Sequence, residues 1–112
     1  MRSGELRHRV AFYQRQQTPD EGGGVATSYV LHKEVWASLT PLSSSRIAFM
    51  RQSGLQATHR LVMRYDQSIT SEMVAEFEGR RFRIEGMQNT DERDVELVLT
   101  LVELGRDTTE NL

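Results

Sequence analysis

Three histidines, a serine triplet, a glycine triplet and an acidic turn are the residues of this chain whose types could do chemistry. His8, His32 and His59 lie on three different predicted strands, and none falls in a metal-ligand spacing such as HxxxH. A metal site needs several converging ligands, so each reads as a structural histidine. Ser43-Ser44-Ser45 follows Pro41-Leu42 with no GxSxG elbow. A nucleophilic serine needs an adjacent base and an oxyanion hole, so the triplet reads as helix caps and loop. Gly22-Gly23-Gly24 lacks the lysine and following helix of a phosphate-binding loop. Asp91, Glu92 and Asp94 lack the glycine and distal glutamate of a calcium loop. With no cysteine in the chain, disulfide scaffolds, thiolate zinc sites and thiol catalysis are excluded. The sequence therefore assigns no catalytic, cofactor-binding or metal-binding residue, and an enzyme is not expected.

The arginines allow a different chemistry. Arg60, Arg64, Arg80, Arg81 and Arg83 interleave with Tyr65, Phe77 and Phe82. A small barrel carrying basic and aromatic strands could bind single-stranded nucleic acid, as an oligonucleotide-binding fold does. Against this, the three aromatics fall on predicted core faces, and Glu76, Glu78 and Glu85 sit among the arginines. The formal net charge of -2 gives the whole chain no strong pull on nucleic acid or an anionic membrane. A mixed-charge surface setting register between subunits fits these residues better.

The elements that would position these residues are strands. At 112 residues the chain fits one domain with a modest core. No segment is apolar over the length of a bilayer-spanning helix, and the opening residues lack the apolar stretch of a secretion signal. A soluble product is expected. His8, Val10 and Phe12 alternate with Arg7 and Arg9, the period of a half-buried strand. Arg7–Arg15 and Thr27–Leu39 read as a long hairpin around a flexible loop, 16–24. In the second strand Tyr29, Leu31, Val35, Ala37 and Leu39 are expected on one face, with Lys33 in conflict. A bulge near His32–Glu34 would relieve that conflict. Trp36 points to the opposite side, which implies a cover from a second layer or a neighbouring subunit.

Pro41 ends that strand, and Arg46–Gln52 reads as two turns of helix inside an insertion, 43–56. So short a helix needs docking to persist. Strand periodicity returns in Leu61/Met63/Tyr65, in Met73/Ala75/Phe77, in Phe82/Ile84 and in Val95/Leu97/Leu99/Leu101. Turns are expected near Gly79 and across Asn89–Asp94, and 105–112 reads as a polar tail. The pattern predicts a mainly β fold: a small six-stranded antiparallel barrel or sandwich with one short helical insertion and long loops.

Val35–Leu39, Pro41-Leu42-Ser43, Thr58–Tyr65, Glu78–Ile84 and Asp91-Glu92-Arg93 occur in an order and spacing that carry a family resemblance. From Leu6 to Leu104 the chain resembles the head–tail joining (head-closure, or stopper) proteins of long-tailed bacteriophages and related phage-like particles. Ser44 stands where that family commonly has glycine. The resemblance implies a β-barrel that assembles as a homo-oligomeric ring, with a portal or adaptor ring above and a tail terminator or tail tube below. It implies packaged double-stranded DNA passing through the channel without sequence-specific contact, and no membrane. It further implies a place in the virion, prophage or gene-transfer particle, assembled in the bacterial cytoplasm. The insertion residues Ile47, Phe49, Met50, Arg51 and Leu55 would then face the channel or an adjacent ring. Asp20, Glu21, Gly22, Gly23 and Gly24 would form an axial loop. Trp36, Arg60, Arg64, Arg81 and Arg83 would contribute to lateral contacts.

Overall fold

Six antiparallel strands close on themselves in the order β1-β2-β3-β6-β5-β4. A computed structural model describes residues 6–19 and 21–104. The strands are β1 His8–Pro19, β2 Val25–Pro41, β3 His59–Arg64, β4 Val74–Phe77, β5 Arg80–Asn89 and β6 Glu96–Leu104, with helix α1 at Ser44–Gln52. Closure leaves the barrel section without a free edge, since β4 pairs back to β1 over Ala11–Tyr13. Of the two architectures the sequence allows, the molecule is the barrel.

The core follows the two-residue period. Val10 and Phe12 from β1, Ala37 and Leu39 from β2, and Leu61 and Met63 from β3 point inward with Ala75, Phe82, Ile84, Leu97, Leu99 and Leu101. Ile69 and Met73 join them from the segment between β3 and β4. Each of the larger side chains among them, the Val, Leu, Ile, Phe and Met, contributes about 1.5–3 kcal/mol when fully buried. Tyr65 and Phe77 pack against this cluster and Phe82 lies within it, as the alternation predicts. The Glu78-Gly79 turn joins β4 to β5 with both residues at positive φ, 51° and 78°. Two positive angles are what a two-residue turn needs to match the right-handed twist of its strands, and glycine takes its angle without strain.

Three expectations change at this level. Between Phe12↔Lys33 and Tyr13↔Leu31 the register shifts, leaving His32 as the extra residue of a bulge. The bulge lies where the sequence asks for one, but Lys33 keeps the inward face. Tyr29 and Leu31 turn over to the Trp36 side, because one inserted residue inverts every side chain beyond it. Pairing also runs on through Gln16↔Ser28 to Pro19↔Val25, so the connection is shorter than the expected loop 16–24. Val95 precedes β6 and is exposed, since the strand begins at Glu96.

The β1–β2 hairpin outruns the barrel. Residues 14–19 and 25–31 are exposed apart from half-buried Tyr29. The described residues span 48 × 30 × 26 Å, with a radius of gyration of 15.2 Å. A compact domain of this size has about 13 Å. The difference is the projecting ribbon.

Candidate functional site

No group of His, Asp or Glu suited to a metal occurs among the described residues. What the barrel presents instead is a set of surfaces, the first of which is the insertion. Ser43 Oγ accepts from the Arg46 amide at 3.2 Å and caps α1. The helix closes on Gly54 at φ +81°. The Gly54 amide donates to Arg51 O and the Leu55 amide to Met50 O, both at 3.0 Å, which is the Schellman pattern. Both feet of the insertion are fixed. The Leu42 amide donates to Thr58 O at 2.9 Å, the Thr58 amide to Leu101 O at 2.8 Å, and the Gln56 amide to Glu85 Oε2 at 3.0 Å. Between these anchors α1 buries none of its residues. Phe49 is 63% exposed, Leu55 and Arg51 are exposed, and Ile47 and Met50 are only half covered. The helix is well capped and poorly docked.

The second surface is the outer wall. Trp36 remains 52% exposed, with the Arg9 guanidinium 5.5 Å from its ring centre. Among the described residues no second layer of the barrel covers it. Beside it opens a cleft of about 590 Å³ lined by Leu6, Val35, Trp36, Met63, Arg64, Tyr65 and Asp66. Arg60 and Arg64 are exposed on β3, which pairs with β2. Arg81 and Arg83 lie on β5, separated from β3 by β6. Arg81 pairs with Glu76 at 3.3 Å, and Arg83 donates to Gln56 Oε1 at 3.1 Å with Glu85 at 3.7 Å. The structure thus brings Trp36, Arg60 and Arg64 to one wall and sets Arg81 and Arg83 on another.

At the hairpin tip Glu21, Gly22, Gly23 and Gly24 are exposed, and Gly23 has φ +85°. Asp20 lies outside the described residues, as does the expected tail 105–112.

Two polar clusters escaped the sequence reading, because their members are far apart in the chain and each looks like an ordinary alternating residue. At one end of the barrel Arg80 bonds both Glu103 oxygens at 2.9 Å and donates to His59 Nε2 at 3.1 Å. The His59 Nδ1–H then faces Thr58 Oγ1 at 2.9 Å, and the ring meets Phe82 edge-on at 5.1 Å. Burial lowers the His59 pKa; the Glu103 carboxylate opposes that shift and Arg80 adds to it. At the other end Lys33 Nζ lies 2.6 Å from Asp66 Oδ2, while Ser68 donates to Asp66 Oδ1 through its amide and hydroxyl. His32 and Ser68 are 2.9 Å apart. The bulged residues thereby fasten the segment that carries Ile69 and Met73 into the barrel mouth. His8 completes the histidines: its Nδ1 accepts from the Leu39 amide at 3.1 Å, and its ring meets Phe77 edge-on.

The family model of the phage head completion protein matches residues 1–104. The chain belongs to that family. A phage head completion protein is a structural component of a phage or phage-like particle, and the family is not one of enzymes. Among solved structures the fold is similar to protein SF1141 from Shigella flexneri 2a, determined in solution. The TM-score is 0.74 at 23% identity, covering 92% of this chain and 96% of that one. It is also similar to a chain from the virion of a native gene transfer agent particle. There the TM-score is 0.59 at 18% identity, covering 88% of this chain and 96% of that one. No curated protein matches.

Proposed function

We propose that this head completion protein forms a homo-oligomeric ring between the portal or adaptor and the tail. The ring closes the head after DNA packaging and gives the tail its docking surface. The observation that carries the reading is the division of apolar residues. The barrel fills its own core, yet it leaves Trp36 on the wall and Phe49 on α1 more than half exposed. A chain whose family works in an assembled head has a use for both surfaces. Barrel walls make the lateral contacts, with Trp36, Arg60 and Arg64 on one side and Arg81 and Arg83 on another. The insertion residues Ile47, Phe49, Met50, Arg51 and Leu55 and the loop from Asp20 to Gly24 make the axial ones. DNA passes without sequence-specific contact. Similarity to a gene transfer agent virion chain fits such a place in a particle.

The nucleic-acid alternative loses the three aromatics that interleave with its arginines. Base stacking needs aromatic faces on the surface, whereas Phe82 is buried and Tyr65 and Phe77 pack against the core. Of the five arginines that would attract a strand, three already face carboxylates, Arg80 on Glu103, Arg81 on Glu76 and Arg83 near Glu85.

Electron microscopy of particles made with the gene deleted tests the proposal. Detached tails beside tailless heads, filled or leaking, are expected. Normal tailed particles would overturn it.

A further inference from the structure

We infer that the ribbon projecting from the barrel is a strand-addition device, through which the β2 edge of one copy pairs with the β1 edge of the next. The inference rests on the ring reading and names one contact within it. The barrel closes its own edges only in part. β4 covers β1 over Ala11–Tyr13, and β3 pairs with β2 over Ala37–Pro41. Beyond those limits, among the described residues, β1 and β2 form strand pairs only with each other, through Pro19↔Val25. Residues 14–19 on one side and 25–31 on the other therefore present outward-facing backbone groups. Among the described residues no backbone hydrogen bond from outside the hairpin reaches them. The 70–73 segment flanks Gln14, Arg15 and Gln17 without pairing to them.

Composition points the same way. Val25-Ala26-Thr27-Ser28-Tyr29-Val30-Leu31 is seven residues with no charge and no proline, rich in β-formers. Val25 is 64% and Leu31 51% exposed. A lone subunit with such an edge is an aggregation hazard, and soluble edges are ordinarily blunted by charge, proline or a bulge. Here Pro19 and the His32 bulge sit at the ends of the free stretch and leave its middle open.

The occupant follows from the two edges belonging to one ribbon. In a cyclic ring every hairpin points the same way, so β2 of one copy and β1 of the next run antiparallel. They form the same kind of ladder that joins them within a chain. The contact is heterologous, uses two different edges of each copy, and leaves none free once the ring closes. Polar Gln14–Thr18 would lie beside the uncharged stretch, and Arg15 would meet no like charge there.

A chain without cysteine makes the test direct. Full-length S28C copies are mixed with copies carrying one cysteine at each of positions 14 to 18 in turn. They are assembled in particles and oxidised, and ring mass is followed in parallel. Rings in which S28C joins the neighbour's position 16 or an adjacent one, with little S28C–S28C product, are expected. Tyr29→Lys should abolish the ring while the barrel stays folded. An intact ring with no crosslink between the two edges, or with S28C–S28C product alone, overturns the inference and spares the ring reading. Particles that carry this protein without a ring overturn both.

Discussion

At the scale of single residues, the clearest consequence of the structure is acid sensitivity at the barrel mouth. Burial alone would raise the Asp66 pKa. The Lys33 ammonium and the two Ser68 donors outweigh it and hold the carboxyl down, from 3.8 to about 2. The unfolded chain therefore takes up this proton first as pH falls, so Asp66 contributes stability above pH 4 that is lost on the way to pH 2. Asp66→Asn keeps Oδ1 as an acceptor for Ser68 but carries no charge. Urea midpoints measured from pH 5 to pH 2 should fall more steeply for the parent chain than for the variant. Parallel curves would show that the Lys33 contact does not govern the mouth segment. The two inward polar clusters share a physical reason. Lys33 and His59 both sit on core-facing strand positions near barrel ends; His59 is buried, where a polar group needs partners, while Lys33 reaches the exposed rim and meets Asp66 there.

At the scale of elements, α1 is the part whose sequence and surroundings disagree. Its cap and its C-terminal turn are complete, yet no side chain on it is buried. Ile47→Ser, Phe49→Ser and Met50→Ser together should leave the monomer's thermal midpoint little changed, since surface changes ordinarily cost within about 0.5 kcal/mol each. The same triple variant should fail to join heads in a complementation assay. A large loss of monomer stability would mean that α1 docks on its own barrel instead. Six strands and this helix were legible because period-two alternation, Pro41 and the serine cap act locally. The side taken by Tyr29 and Leu31 was not, because it depends on which of three residues the bulge selects. Lys33 on the inward face meets Asp66, 33 positions later, a partner that local spacing does not reveal. The candidate lateral residues could be named but not grouped, since strand order around the barrel sets Arg81 and Arg83 apart from Trp36.

At the scale of the whole molecule, the barrel and its ribbon separate stability from assembly. Every residue of the buried cluster lies in the barrel or its mouth, and none in 14–19 or 25–31. The ribbon therefore adds reach without adding core. Replacing Gln16–Ser28 by Asn-Gly would let the facing pair Arg15↔Tyr29 close on a two-residue turn suited to the strand twist. The shortened chain should fold to the same barrel, with amide spectra of β3 to β6 unchanged and a thermal midpoint within a few degrees of the parent. A long hairpin with no fully buried side chains has little hydrophobic gain to lose. In particles the shortened chain should fail to restore tailed heads to a deletion strain. Loss of the fold would show that the ribbon belongs to the folding unit. Full restoration of tails would show that assembly proceeds through the barrel wall and α1 alone. Between those results lies the expected one, a stable subunit that has lost its reach to the next.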